Sequence, residues 1–210
     1  MEPRRLLIAM LLGLISCTAA AGNTNPPALP EGILDNLHLP QQGPQIATEL
    51  QLGRFSVRFE DTSLGTIQKT IGGGKIRKKG DAAGFMEWLC YTVTEGNQPY
   101  RLWLQSGEMN DGRLGAASAE YLSEAAPALA ECPLLPHAYQ PVRLDGTIGL
   151  GMTRATLEGK LGAKLISKDD YLIYSHTQQL PQGYEKTSWL AVKLHKGRVH
   201  FLTASKLTSN

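Results

Sequence analysis

The side chains best suited to acid–base or metal chemistry in this 210-residue chain are five histidines, and they form no recognised catalytic pattern. They are His38, His137, His176, His195 and His200. The chain lacks the His-Glu-x-x-His motif of zinc proteases and the Gly-x-Ser-x-Gly motif that presents a nucleophilic serine. We therefore predict no catalytic residues and a protein that is not an enzyme. An enzyme of unrecognised type is the alternative.

His195 and His200 lie near each other across a predicted hairpin, where two imidazoles could join in a metal site. No third ligand is near them in the sequence, so we predict a surface pair and neither a metal nor a cofactor. Asp169-Asp170 is typical of a turn rather than of a general acid and base, because neighbouring turn residues rarely converge. Gly72-Gly73-Gly74-Lys75 lacks the spacing of a phosphate loop.

Cys90 and Cys132 are an even pair of cysteines in a chain that carries an export signal. Exported proteins fold in oxidising compartments, so this pair predicts a disulfide. Closing that loop removes denatured-state entropy worth about 4 kcal/mol in the chain-entropy model. Two free buried thiols are the alternative.

Residues 1–21 read as a secretory signal peptide, because Arg4 and Arg5 precede an apolar run that ends in small residues. Leu14-Ile15-Ser16-Cys17 resembles the lipobox of bacterial lipoproteins, whereas Ala19-Ala20-Ala21 offers a rival site that would release a soluble protein. A Pro- and Gln-rich tether, 22–52, follows. We expect the periplasm, with an outer-membrane lipid anchor on Cys17 or no anchor.

The bulk composition excludes some partners. A formal net charge of +2 provides no strong field for nucleic acid, so none is predicted. No later apolar run is long enough to span a bilayer, and contact with the membrane is expected only through the lipid anchor.

Two segments of the chain match each other, Thr62–Gly72 and Met152–Gly162. Each predicts a short helix that begins after a capping Ser63 or Thr153, carries an apolar pair at i, i+4, and ends at a glycine. A helix this short is unstable alone, so each must pack against another element.

A second match follows the first, between Gly112–Leu122 and Gly197–Leu207. Strand-like runs lie between the matches in both halves. We predict an α+β fold, a tandem repeat of one helix plus a three-stranded antiparallel sheet. Its first αβββ repeat covers 53–122, a linker covers 123–141, and the second repeat covers 142–210.

The stretch "GLGMTRATLEGKLG", residues 149–162, resembles the signature of the SmpA/OmlA-type small envelope lipoproteins. The tandem arrangement is similar to the β-lactamase inhibitor protein. The resemblance implies a helix packed on a three-stranded sheet and a role in binding other proteins without catalysis. The first copy lacks the Met and carries three consecutive glycines, so no functional residue is transferred.

Alternation along the predicted strands places basic and aromatic side chains on the face away from the core. In the last hairpin, Leu190, Val192 and Leu194 are expected to share the core face with Val199, Phe201 and Thr203. The predicted partner-binding residues are Trp88, Arg101, Trp103, Tyr174, Lys193, His195, Arg198 and His200. Packing of Trp103 against the linker or the other repeat is the alternative. The run Lys75–Lys79 reads as a solvated charged loop, with electrostatic steering of a partner as the alternative.

These observations predict a non-catalytic periplasmic binding protein that inhibits a partner enzyme. Immunity to a toxin hydrolase that attacks the cell envelope is one setting for such an inhibitor. The alternative is an outer-membrane assembly or maintenance lipoprotein that acts as a scaffold. The partner in either case is another protein.

Overall fold

The structure is a computed structural model that describes residues 25–27, 43–81, 84–123 and 131–209. The predicted signal peptide, Cys17, His38, most of the tether and part of the linker lie outside the described residues. The helices are α1 (Leu64–Ile71) and α2 (Arg154–Leu161). The strands are β1 (Glu49–Leu52), β2 (Phe55–Arg58), β3 (Arg77–Asp81), β4 (Gly84–Val93), β5 (Tyr100–Gly107), β6 (Ala116–Tyr121), β7 (Val142–Leu144), β8 (Ile166–Lys168), β9 (Tyr171–Gln179), β10 (Glu185–His195) and β11 (Arg198–Ser209).

The strands form two sheets, and this overturns the predicted fold class. One sheet has eight strands in the order β3-β4-β5-β6-β11-β10-β9-β8, and the other has three in the order β2-β1-β7. The chain is therefore mostly β, with one continuous large sheet. The prediction of a helix plus three strands, repeated as in the β-lactamase inhibitor protein, is wrong. Each helix is followed by four strands that join the same sheet, because β6 pairs with β11.

The strands that the sequence analysis missed are short or polar. β3 has the sequence RKKGD and was predicted to be a charged loop, but it pairs along β4 at the edge of the sheet. Lysine and arginine on an edge strand discourage pairing with other chains, so the charge has a structural use there. β8 has only three residues and forms the opposite edge. Neither strand has enough apolar alternation to be recognised.

The two predicted helices and their caps are confirmed. The side chains of Ser63 and Thr153 accept hydrogen bonds from the backbone N–H groups of Thr66 and Thr156. Both helices end at a glycine with positive φ, 77° at Gly72 and 64° at Gly162. Ile67 and Leu157 are fully buried, as the apolar pairs require.

The main core lies between the large sheet and the elements packed on one side of it, which we call the inner face. Ile67 of α1, Leu157 of α2 and Leu50 of β1 belong to the same apolar cluster as Leu102 and Leu190 of the sheet. The opposite side, the outer face, carries two separate aromatic clusters. The eight-stranded sheet is therefore packed mainly through one face, with both helices on it.

The three-stranded sheet was not anticipated, since β1 lies within the predicted tether. The carboxylate of Asp145, after β7, holds β1 in place. It accepts hydrogen bonds from the backbone N–H groups of Ala47, Thr48 and Glu49 at 2.9, 2.9 and 3.1 Å. Residues 46–52 are thus part of the folded domain.

The predicted disulfide between Cys90 and Cys132 is confirmed. It attaches Cys132, near the start of the range 131–209, to Cys90 on the outer face of β4. Backbone bonds continue the attachment, since Thr92 donates to Pro133 and accepts from Leu135, both at 2.8 Å. Across the described ranges, no helix is both long enough and apolar enough to cross a membrane.

A basic hairpin tip as candidate functional site

The hairpin of β10 and β11 contains a β-bulge that sets which side chains are exposed at its end. Lys193 pairs with Phe201, but the next residue, Leu194, pairs with Val199, so His200 is the extra residue. A bulge interrupts the alternation of faces. The prediction that Phe201 shares the core face with Leu190 is therefore wrong, because Phe201 packs in an outer-face cluster.

The prediction that Thr203 lies on the core face is wrong for the same reason, because it assumed that the faces alternate without interruption. Thr203 pairs with Ala191 of the outer-face cluster, whereas Leu202 pairs with Val192 in the main core. The turn itself is as predicted. Lys196 and Gly197 both have positive φ, 49° and 74°, as a two-residue hairpin turn requires.

Basic and aromatic side chains lie on both faces of this end of the hairpin, since Tyr171 belongs to an outer-face cluster and Tyr121 packs against the main core. We call Lys193, His195, Lys196, Arg198 and His200 the basic tip. The imidazole centroids of His195 and His200 are 5.6 Å apart. The hairpin end carries no acidic residue between positions 193 and 200, although Glu120 lies on the neighbouring strand opposite Phe201.

Two tyrosines border the basic tip. The Tyr121 ring lies 5.9 Å from that of His200, and Lys193 Nζ lies 4.4 Å from the centre of the Tyr171 ring. The latter geometry is a cation–π contact that orients the ammonium group. Such pairings of cations and tyrosines are common in protein interfaces.

The loop before α2 fixes the base of the tip. Arg198 Nη1 donates to the Gly151 carbonyl at 2.9 Å, and Gly151 N–H donates to the Val199 carbonyl at 2.8 Å. Val199 N–H in turn donates to the Met152 carbonyl at 2.8 Å. Residues of the signature stretch 149–162 thus position the hairpin and do not themselves form its surface.

A polar cluster of Glu95, Tyr100 and Arg143 lies next to Tyr121, and through Tyr121 it adjoins the basic tip. Arg143 forms two hydrogen bonds with the carboxylate of Glu95, which also accepts from Tyr100 Oη at 3.1 Å. Burial opposes ionisation of Glu95, but the bonds from Arg143 outweigh it and lower the pKa of that carboxyl. Burial, reinforced by the Glu95 charge, raises the pKa of Tyr100 well above its usual range. Tyr100 therefore stays a neutral donor beside Tyr121, with ring centroids 6.0 Å apart.

Four of the eight predicted partner-binding residues are not on the surface. Trp88, Arg101, Trp103 and Tyr174 are 3, 5, 3 and 0% exposed. Residues buried this deeply cannot meet a partner unless the chain rearranges. The expectation that they form one exposed platform with the hairpin is therefore wrong.

The buried residues have structural contacts. Trp88 and Trp103 pack around the disulfide, which agrees with the alternative that Trp103 packs against the linker. Tyr174 lies on the inner face, where its hydroxyl donates to the Pro44 carbonyl at 2.5 Å. Arg101 pairs across the sheet with Glu120, and burial lowers the pKa of Arg101.

The structure places Lys193, His195, Arg198 and His200 at the same end of the hairpin, with Lys193 on the outer face and His200 towards Tyr121, and it adds two neighbours that were missed. Lys196 is adjacent in sequence and could have been included with them. Tyr121 could not, because its contact with His200 depends on the pairing of β6 with β11 and on the bulge.

No group of three or more metal-ligating side chains occurs in the part of the chain that the structure describes. No protein family, curated protein or solved structure matches the chain.

Proposed function

We propose that this protein is a non-catalytic binding protein of the periplasm that uses the basic tip to bind and block a partner enzyme. A toxin hydrolase that attacks the cell envelope is the partner class we favour. Export through the signal peptide, with or without a lipid on Cys17, is part of the proposal.

The basic tip is the observation that supports the proposal. His195, Lys196 and Arg198 are exposed at the end of the longest hairpin of the described fold. The bond to Gly151 holds Arg198 before any partner arrives, which lowers the entropy lost on binding. A hairpin end that is itself basic, with no acidic residue at positions 193–200, favours a partner whose surface is acidic.

The polar substrate clefts of many hydrolases contain carboxylates, which gives the tip a possible target. Insertion of a rigid hairpin end into such a cleft would exclude substrate without any chemistry by the inhibitor. The binding energy would come from a few central contacts, such as those of Tyr121 and Arg198, rather than from the whole buried area.

The experiment uses the mature chain as bait in envelope extracts of competing cells, followed by a hydrolase assay on what is retained. The bait should retain and inhibit a hydrolase. Lys193→Glu with Lys196→Glu should weaken inhibition at least tenfold. Lys75→Glu with Lys79→Glu, which makes the same charge change on and beside β3, should not. Retention of no hydrolase, together with no protection of cells in a toxin assay, would contradict the proposal.

The second candidate is an outer-membrane scaffold lipoprotein, favoured by the lipobox-like Cys17 and the SmpA/OmlA-like stretch 149–162. Gene deletion should then cause detergent or antibiotic sensitivity with no toxin present. An intact permeability barrier would count against it. Mass spectrometry of the mature N-terminus decides whether Cys17 is lipidated, and an adjacent toxin gene would favour the inhibitor.

A further inference from the structure

A groove on the outer face is lined by the chain's own N-terminal segment as well as by the sheet. Asn25, Pro26 and Pro27 line it together with Trp88 and Trp189. Pro26 is buried and Pro27 is half-buried. Both tryptophans belong to strands of the large sheet, so the residues that line the groove with Asn25–Pro27 are far from that segment in sequence.

The sheet side of the groove combines apolar and polar groups. Met86 adds to the apolar wall, and Gln105 and Thr203 lie beside it. Gln105 Nε2 donates to Ser118 Oγ at 2.8 Å, and its amide has a second N–H group to donate. A proline-containing segment lacks N–H groups but keeps its carbonyls, so it matches a groove that offers tryptophan rings and side-chain donors.

We propose that this groove is a binding site for extended peptides with a Pro-Pro pair, and that Asn25–Pro27 is its resident ligand. A Pro-Pro pair is already restricted to the extended polyproline conformation, so docking orders few additional torsions. Intramolecular docking also benefits from an effective concentration in the millimolar range. A weak affinity is therefore enough to keep this segment docked at the groove in the intact chain.

Docking at Asn25 changes how far the domain can stand from a membrane, a consequence that rests on the proposed lipid at Cys17. Seven residues lie between Cys17 and Asn25, and the eight Cα–Cα steps between them span at most about 29 Å. With the prolines released, the first attachment to the domain is at Gly43, whose carbonyl accepts a hydrogen bond from His176, and the chain from Cys17 to Gly43 would span up to about 90 Å. The groove thus keeps the domain near the anchor, and release of the prolines would lengthen its reach.

The test uses tryptophan emission of the full mature chain, because two of its three tryptophans line the groove. Pro26→Ser with Pro27→Ser should shift the emission to longer wavelength and increase acrylamide quenching at least 1.5-fold. Pro181→Ser, at an exposed proline, is the matched control and should change neither. Adding a synthetic peptide with the sequence of residues 22–31 should reverse the shift with saturation. The same peptide with Ser-Ser in place of Pro-Pro should not.

Unchanged emission and quenching in the double variant, or no saturable effect of the peptide, would overturn the proposal. If the double variant does not fold, a nitroxide on Asn25→Cys in the otherwise intact chain replaces it. That label should quench tryptophan emission more than a label on Lys160→Cys, an exposed residue of α2 on the inner face, and equal quenching would also overturn the proposal. Neither readout involves the basic tip or the lipid, so a negative result would leave the proposed function standing.

Discussion

The large sheet has two halves, β3–β6 after α1 and β8–β11 after α2. Both halves contain the same backbone β-bridge, but the hairpin connections before their last strands carry opposite charges. In the first half, the backbone of the capping residue Ser63 forms an isolated antiparallel β-bridge with that of Arg113, which precedes β6. In the second half, the cap Thr153 forms the equivalent bridge with Arg198, at the start of β11. Each helix is therefore fastened to the strand that completes its half.

The connections at these two places differ in their side chains. The one between β5 and β6 carries Glu108, Met109 and Asp111, and Met109 is 65% exposed. The one between β10 and β11 is the basic tip. Because β6 and β11 are antiparallel neighbours, the two connections lie at opposite ends of the sheet. The shared β-bridge is structural, whereas the difference in charge between the two connections distinguishes the proposed binding end of the sheet from the other end.

A second contrast lies within the helices. Gln68 of α1 donates from Nε2 to the Gly74 carbonyl at 2.8 Å. Glu158, at the matching position of α2, accepts from Leu165 N–H at 3.1 Å and from Arg154 and Lys164. Both side chains hold the segment that follows their helix, but only the second half does so with a charge. The halves should therefore respond differently to pH.

The disulfide is the largest expected difference between the halves, since among the described residues it occurs only in the first. Cys90→Ser with Cys132→Ser should lower the free energy of unfolding by about 4 kcal/mol. Urea denaturation of the oxidised wild type and the double variant measures this loss. A loss below about 1 kcal/mol would mean that the backbone bonds of Thr92 already hold the linker in place.

The second largest difference is expected between Glu60, which precedes α1, and Asp145, which precedes α2, in the unfolding free energy lost when each is replaced. Asp145 accepts from three backbone N–H groups and the Thr48 hydroxyl. Glu60 accepts from the backbone N–H and hydroxyl of Thr208 and forms an ion pair with Lys206. Asp145→Ala should cost about 2 kcal/mol, because several donors lose a charged acceptor, and Glu60→Ala about half as much. Equal losses in urea denaturation would contradict the greater importance of Asp145.

The helix caps should make equal contributions. Ser63→Ala and Thr153→Ala each remove one acceptor of a backbone N–H group and should each cost about 1 kcal/mol. Ser63→Thr and Thr153→Ser are conservative controls that keep the acceptor. A clear inequality between the two alanine variants would show that the bridges to Arg113 and Arg198 do not hold the helices equally.

The smallest expected effect is one of pH. Hydrogen bonds from Arg154, Leu165 N–H and Lys164 lower the pKa of Glu158 from 4.5 to about 2. Because the folded pKa is below the unfolded one, the stabilisation is complete above pH 4.5 and is lost as the pH falls towards 2. Glu158→Gln should therefore lower Tm at pH 6 and have less effect at pH 2.5. Gln68→Ala, the matched change in α1, should lower Tm equally at both pH values.

The parts of the fold that the sequence predicts are those with strong local patterns. Ser63 and Thr153 with their closing glycines define the helices, and the long alternating runs define β4, β5, β9 and β10. The three-stranded sheet escapes prediction because β1, β2 and β7 have at most four residues each, and β7 pairs with β1 across about 90 positions of sequence. Local pattern carries no information about such pairing.

The candidate site was half predicted for a similar reason. Strict alternation identified Lys193 and His195 as exposed, but it could not reveal the bulge at His200. It also gave Trp103 the side away from the main core, where the segment around Cys132 covers it. A side chain that points away from one core is not exposed when another part of the chain packs over it.

The two ends of the sheet give the most direct test of the account. The partner retained by the wild-type chain would be titrated calorimetrically with the wild type, with the basic-tip variant Lys193→Glu with Lys196→Glu, and with the opposite-end variant Glu108→Lys with Asp111→Lys. We predict a dissociation constant at least tenfold higher for the basic-tip variant and within twofold of wild type for the opposite-end variant. Equal affinities for all three proteins, or a loss confined to the opposite end, would contradict the claim that the basic tip is the binding surface.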